Sequence, residues 1–213
     1  MRAAGLNQAW VGGGLLVLAL AWLGPLPGLA RHSFSSHMLM HMGVVAVAAP
    51  MLAAGVAGSR WDPASRWPRL LAPLPASVLE FVVVWAWHAP LLHHGARDWP
   101  WMRAVEQGSF LLVGLGVWLS AFGGRTAQRR DRAGAGVAGL LLTSMHMTLL
   151  GVLLALASRP LYPHPGETAF ALTPMQDQQL GGVLMLTFGG VAYLVGALVL
   201  LAVLLRRPGT AHG

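Results

Sequence analysis

The stretch His32-Ser-Phe-Ser-Ser-His-Met-Leu-Met-His-Met42 places three histidines and three methionines at the start of an otherwise apolar run. His37 and His41 are four residues apart, so on a helix they stack on one face, roughly 6 Å apart along the axis, which suits a metal held by imidazole. Met38 and Met42 repeat that spacing on the adjacent stripe. The chain has no cysteine. Nitrogen and thioether donors without thiolate point to copper among the common metals, since soft sulfur favours Cu(I) and imidazole accepts either copper state. The same residues also read as two interfacial histidines above a Met-rich packing face.

Other polar residues interrupt apolar runs further along. His146 stands between Met145 and Met147, and because a lipid-facing histidine is unfavourable it should face the bundle interior, hydrogen-bonded there or holding a ligand. His88 lies in Trp85-Ala-Trp-His-Ala-Pro90, where by itself it reads more simply as an interfacial histidine. Glu106 is placed to orient a ligating histidine from behind. Glu80 reads as a packing or topology residue. Methionines are more often core filler than ligands.

The elements that must position these residues are membrane helices. The 213 residues are 55% hydrophobic and 10% charged, which excludes an ordinary soluble domain. A formal charge of +7 would suggest nucleic acid in a soluble chain, but here all fourteen basic residues are arginine and most lie between apolar runs, as topology determinants do. Nucleic acid is therefore not expected as a partner, and lipid is. The absence of cysteine excludes disulfides, thiolate zinc sites and CxxC redox chemistry. The first apolar run lacks a clear cleavage site, so it is expected to be retained as a helix.

The pattern predicts an all-α bundle, one integral membrane domain over 1–213, with six spans at about 8–30, 34–57, 76–92, 101–122, 134–158 and 180–205. Pro50 should kink or locally open the second span. His93, His94, Arg97 and Asp98 read as a short loop. Ten of the fourteen arginines then fall on the side of both termini, which the positive-inside rule makes cytoplasmic. His32, His37, His41, His88, His93, His94 and His164 fall on the other side with Asp98, Glu106, Glu167 and Asp177. His146 lies deep and His212 is cytoplasmic. This asymmetry concentrates possible ligands where an extracytoplasmic metal would arrive. Replacement of His93, His94 or His212 is expected to be near-neutral, since only proximity recommends them.

His37-Met-Leu-Met-His41 followed by Pro50, Trp87-His88-Ala-Pro90, the segment from Gly151 ending Arg-Pro-Leu-Tyr162, and Asp177-Gln-Gln-Leu-Gly-Gly182 with Tyr193 resemble the CtaG-type cytochrome c oxidase assembly factors of bacteria, of the caa3-oxidase branch. The resemblance runs from about residue 32 to 195, and its most specific piece is Asp-Gln-Gln-Leu-Gly-Gly. It implies a multi-pass protein of the bacterial inner membrane, not an enzyme, that helps mature a haem–copper oxidase. Copper delivery to the catalytic subunit is the usual proposal for such proteins, and an extracytoplasmic copper chaperone is a possible further partner. His37, His41, His88 and Asp177 inherit that expectation. Where relatives often carry histidine at the start of the fourth helix, this chain has Glu106-Gln107.

The metal residues read in this way are His37, His41, His88, His146, Met42, Asp177 and Glu106, with no catalytic residue. The alternative is a b-type haem protein for electron transfer, with His41 and either His146 or His88 as axial ligands. A copper permease would need ligands across the whole membrane, and the cytoplasmic half offers only Glu80.

Overall fold

Prolines begin most of the helices, where the missing N–H falls among donors that have no partner inside the helix anyway. In the computed structural model, which describes residues 5–124, 129–162 and 171–205, Pro73, Pro90, Pro100 and Pro174 each stand at the first helical position. The helices are α1 (Gln8–Leu29), α2 (Phe34–Val56), α3 (Pro73–Trp87), α4 (Pro90–Asp98), α5 (Pro100–Phe122), α6 (Arg129–Ala155) and α7 (Pro174–Leu205). No β-strand occurs among the described residues, as expected for an all-α bundle. His164, Glu167, Arg206, Arg207 and His212 lie outside the described residues.

Five helices are long and apolar enough to cross a membrane, the first of them interrupted at Gly24-Pro25, and α3 with α4 makes a sixth crossing if that bent pair is one span. The third span is therefore not the straight helix to residue 92 that the sequence suggests. Proline at 90 pushes the residue before it out of the helical region, and Ala89 is extended at φ −64°, ψ 131°. The chain turns by 72° there. His93, His94, Arg97 and Asp98 belong to the helix that follows, not to a loop. The last span also starts earlier than expected, at Pro174, because Thr173 and Gln176 form a capping box.

Helix α2 is the centre of the bundle. Met38, Met40, Met42, Val44, Val45, Ala48, Ala49 and Ala53 along it are all buried, and it packs against α1, α5 and α7. Helices α3 and α6 complete the ring. Pro50 does open α2 locally, as its missing N–H requires: residues Gly43–Ala48 form a π-helical turn just before it. The indole of Trp118 donates to the Val45 carbonyl within this turn at 2.9 Å, satisfying an oxygen that has no water to turn to. Trp118 in turn stacks on Tyr193, with centroids 5.0 Å apart.

Helices α6 and α7 meet through interlocked glycines. A Cβ on Gly151 would stand 2.8 Å from the Leu186 nitrogen, and one on Gly182 would stand 2.6 Å from the Ala155 nitrogen. Small residues let backbones approach in this way where lipid supplies no hydrophobic drive between helices. Glu80 is fully buried. It accepts a 2.7 Å hydrogen bond from the Tyr193 hydroxyl one turn from the Ser77–Thr143 hydroxyl pair at 2.8 Å. These bonds join α3, α6 and α7, in keeping with the packing role expected of Glu80.

Candidate metal centre

Four buried imidazoles and one buried carboxylate come together at one end of the bundle. His37 and His41 come from the first turns of α2, His88 from the position that follows α3, His93 from α4 and Glu106 from α5. Ring centroids are 4.7 Å apart for His37 and His93, 5.5 Å for His41 and His88 and 6.3 Å for His37 and His88. The Nε2 of His37 is 3.8 Å from Oε1 of Glu106. One donor atom from each of His37, His93 and Glu106 lies within 4.8 Å of the others. Three ligands at about 2.0–2.2 Å from one ion stand roughly 3.3–3.8 Å apart, so a closure of about 1 Å would bring these three onto a single cation.

The nitrogens are free to bind. Among the described residues, His37 Nε2, both nitrogens of His41, His88 Nε2 and His93 Nδ1 are buried without a hydrogen-bond partner, as is Glu106 Oε1. Buried polar atoms are rarely left so. A neutral imidazole keeps a proton on one nitrogen, so His37 Nε2, His88 Nε2, His93 Nδ1 and one nitrogen of His41 offer lone pairs, and these orphaned atoms fit a cation as the missing partner. His88 is moreover set in the binding tautomer. Its Nδ1 is 2.6 Å from the Val84 carbonyl, an oxygen that can only accept, so Nδ1 carries the proton and Nε2 presents its lone pair.

The surroundings hold the rings and exclude water. Phe110 closes one side, 3.9 Å from His41 between centroids. Tyr162 stacks on Phe34 at 4.3 Å, touches His93 at 4.5 Å and donates its hydroxyl to the His88 carbonyl at 2.6 Å. Burial pushes the Tyr162 pKa above its ordinary value, which keeps that hydroxyl a neutral donor. A relay behind Glu106 fixes the carboxylate: Trp22 Nε1 donates to Gln107 Oε1 at 3.3 Å, and Gln107 Nε2 donates to Glu106 Oε2 at 3.2 Å.

Of the residues singled out from the sequence, His37, His41, His88 and Glu106 are assembled here. Glu106 faces His37, Oε1 to Nε2, at 3.8 Å. Asp177 serves a different purpose. Its Oδ1 accepts from the Ser33 hydroxyl at 2.8 Å and also bonds the Ser35 hydroxyl and amide. Its Oδ2 takes the Phe34 amide. The carboxylate thus caps the N-terminus of α2, where a negative charge is favourable, and sets the first turn that carries His37. Met42 Sδ lies 3.5 Å from where a Cβ on Gly189 would stand, near Met147, so the thioether sits at the contact with α6 and α7. His146 is buried with both nitrogens unpartnered, but its ring contact is with Phe81, at 5.4 Å, and not with the cluster.

His93 is the residue that sequence reasoning missed. It is buried and belongs to the three-ligand group. Pro90 at a helix start, with His93 and Ala96 three apart on one face, was the available signal. Read as a loop, the segment gave no reason for His93 to turn inward. The remaining motif residues explain themselves by packing. Gln178 accepts from the Leu161 amide at 2.6 Å and donates to the Leu154 carbonyl at 3.2 Å, holding down the segment that brings in Tyr162. A Cβ on Gly181 would stand 2.4 Å from the Phe34 ring.

Fold and centre together define a polytopic α-helical membrane protein that carries a water-excluding histidine–carboxylate cage between its helices at one end. The chain belongs to the cytochrome c oxidase caa3 assembly factor family (Caa3_CtaG), whose model matches residues 4–207. No curated protein and no solved structure matches it.

Proposed function

We propose that the cage receives a copper ion on the extracytoplasmic side of the bacterial cytoplasmic membrane and gives it up to the catalytic subunit of the oxidase that the protein helps to assemble. The convergence of orphaned, buried imidazole nitrogens on Glu106 carries this reading. Copper is cargo here, and the protein needs to bind and release it without transforming it. An imidazole and carboxylate set accepts copper in either oxidation state, and the thioether of Met42 is not needed for it. One negative charge from Glu106 offsets part of the cation's charge inside a low-dielectric bundle. The arginine asymmetry supports cytoplasmic termini and an outward cage. Membership of an assembly-factor family supports a role that is not catalytic.

The haem alternative has less support from the geometry. His41 and His88 are in near contact at 5.5 Å, and the space beside His37, His93 and Glu106 has a volume of only about 10 Å³. That is room for one ion or water molecule, not for a macrocycle held between two axial ligands. The test is metal analysis and an absorption spectrum of the purified protein after exposure to copper under reducing and oxidising conditions. Stoichiometric copper, lost on replacing His37 and His41 together by Ala, is the expected result. A Soret band removed by His41→Ala would establish the haem protein instead. Normal oxidase activity in a deletion strain carrying the double variant would remove the cage from oxidase maturation.

A further inference from the structure

At the same end of the bundle as the cage, a lateral cavity of about 470 Å³ opens between α1, α2 and α5, lined by Trp22, Pro27, Met40, Arg103, Ala104 and Gln107 among others. Its size falls within the range of about 300–1,000 Å³ of pockets that bury a small ligand. Gln107 is already engaged, with Trp22 and Glu106. Arg103 is the polar group left over. Its NH1 donates to the Pro27 carbonyl at 3.0 Å and its NH2 to the Arg97 carbonyl at 3.5 Å, while Nε is buried without a partner. A guanidinium has five N–H donors in a fork that matches phosphate. Arg31 and Glu106 both act on Arg103 electrostatically, but Glu106 lines the small space beside the cage and not this cavity, so the charge at the cavity mouth is that of the guanidinium.

Below this mouth the cavity is apolar. Arg103 is in the first turn of α5, where a span meets the headgroups, and Gly108 is five residues further in, roughly 7.5 Å by helix rise. A Cβ on Gly108 would meet nothing within 4 Å. The slot there is open although the helix has a neighbour on either side of it. A cationic fork at headgroup depth above an apolar slot is complementary to an amphiphile with an anionic head.

We propose that this cavity binds an anionic phospholipid, with its phosphate on Arg103 and an acyl chain along Trp22, Met40 and Gly108. The site is independent of the metal reading. It does touch the cage, because Arg103 also borders the small space beside His37 and His93.

The experiment uses the full chain in phosphatidylcholine vesicles doped with either phosphatidylglycerol or phosphatidylcholine brominated on the acyl chain, and reads tryptophan quenching. The expected result is a saturable component that the phosphatidylglycerol reaches at about fivefold lower mole fraction, the preference that one arginine near an anionic surface gives. Trp22→Phe removes that component, and Arg103→Gln abolishes the preference. Gly108→Leu fills the slot without striking a neighbour at its Cβ and removes the component too, so the proposal remains testable even where Arg103→Gln does not fold. Excess inorganic phosphate leaves the quenching unchanged, and displacement by phosphate would make this an anion site and overturn the proposal. Equal quenching by both lipids, unchanged in Arg103→Gln, would reduce the cavity to ordinary lipid contact. A preference that survives Gly108→Leu would place the lipid outside the slot. Quenching that is lost only when the oxidase subunit is added, with no lipid preference before it, would make this face a protein interface and equally overturn the proposal.

Discussion

His93 stands edge-on to His37, ring centroids 4.7 Å apart at 89°, and this contact exists only because the chain bends by 72° at Ala89-Pro90. His93→Ala is therefore expected to weaken copper binding by more than roughly 100-fold, beyond the usual cost of losing an outer partner, and to match His37→Ala in loss of oxidase maturation. Competition titrations on the purified variant, with oxidase activity in a complemented deletion strain, measure both. Wild-type affinity in His93→Ala would return the residue to the peripheral role its sequence position suggests.

Glu106 supplies the one carboxylate of the cage, held from behind by Gln107. Glu106→Gln keeps the shape but removes the charge that would face a bound cation. Affinity should fall by roughly 10- to 100-fold while the protein inserts normally, and a larger loss of protein than of affinity on an immunoblot would contradict this.

Asp177 should behave differently from the cage residues. Replacing it by Ala leaves the Phe34 and Ser35 amides and two serine hydroxyls at the start of α2 without their acceptor. The cost is expected to be roughly 2 kcal/mol or more in stability, read as a lower thermal transition in detergent. The molecules that remain folded should still bind copper, which metal analysis per folded protein checks.

His146 is buried but lies against Phe81, apart from the cage. His146→Ala should leave copper stoichiometry unchanged. Loss of the metal in this variant would show that the site extends deeper than the four imidazoles.

The interlocked glycines of α6 and α7 predict a stability defect with no change in ligand chemistry. An added methyl on Gly182 would meet backbone atoms of Ala155 and Gly151 at 2.6 and 2.7 Å, and backbone cannot move aside as a side chain can. Gly182→Ala is expected to cost on the order of 1–3 kcal/mol and to lower accumulation in membranes. An unaltered melting temperature would mean that the two helices are able to separate freely.

The sequence by itself determined that this is a helical membrane protein and roughly where its spans lie, because a bilayer accepts only apolar runs of a certain length and arginines mark their ends. It also determined that His37 and His41 share a face, since that is local helix geometry, and that Pro50 must open α2, since a missing N–H leaves a carbonyl to be satisfied. What surrounds His37 was not local. Whether Glu106 touches His37, whether His88 turns its Nε2 inward, and whether Asp177 binds a cation or caps a helix depend on how helices far apart in the chain are rotated against one another. That rotation is set by side-chain packing and by close glycine contacts, which leave no period in the sequence. The bend at Pro90 shows the division most plainly: the proline made a break predictable, but only the packing of α4 over the bundle decided that His93 would face His37 and not the solvent.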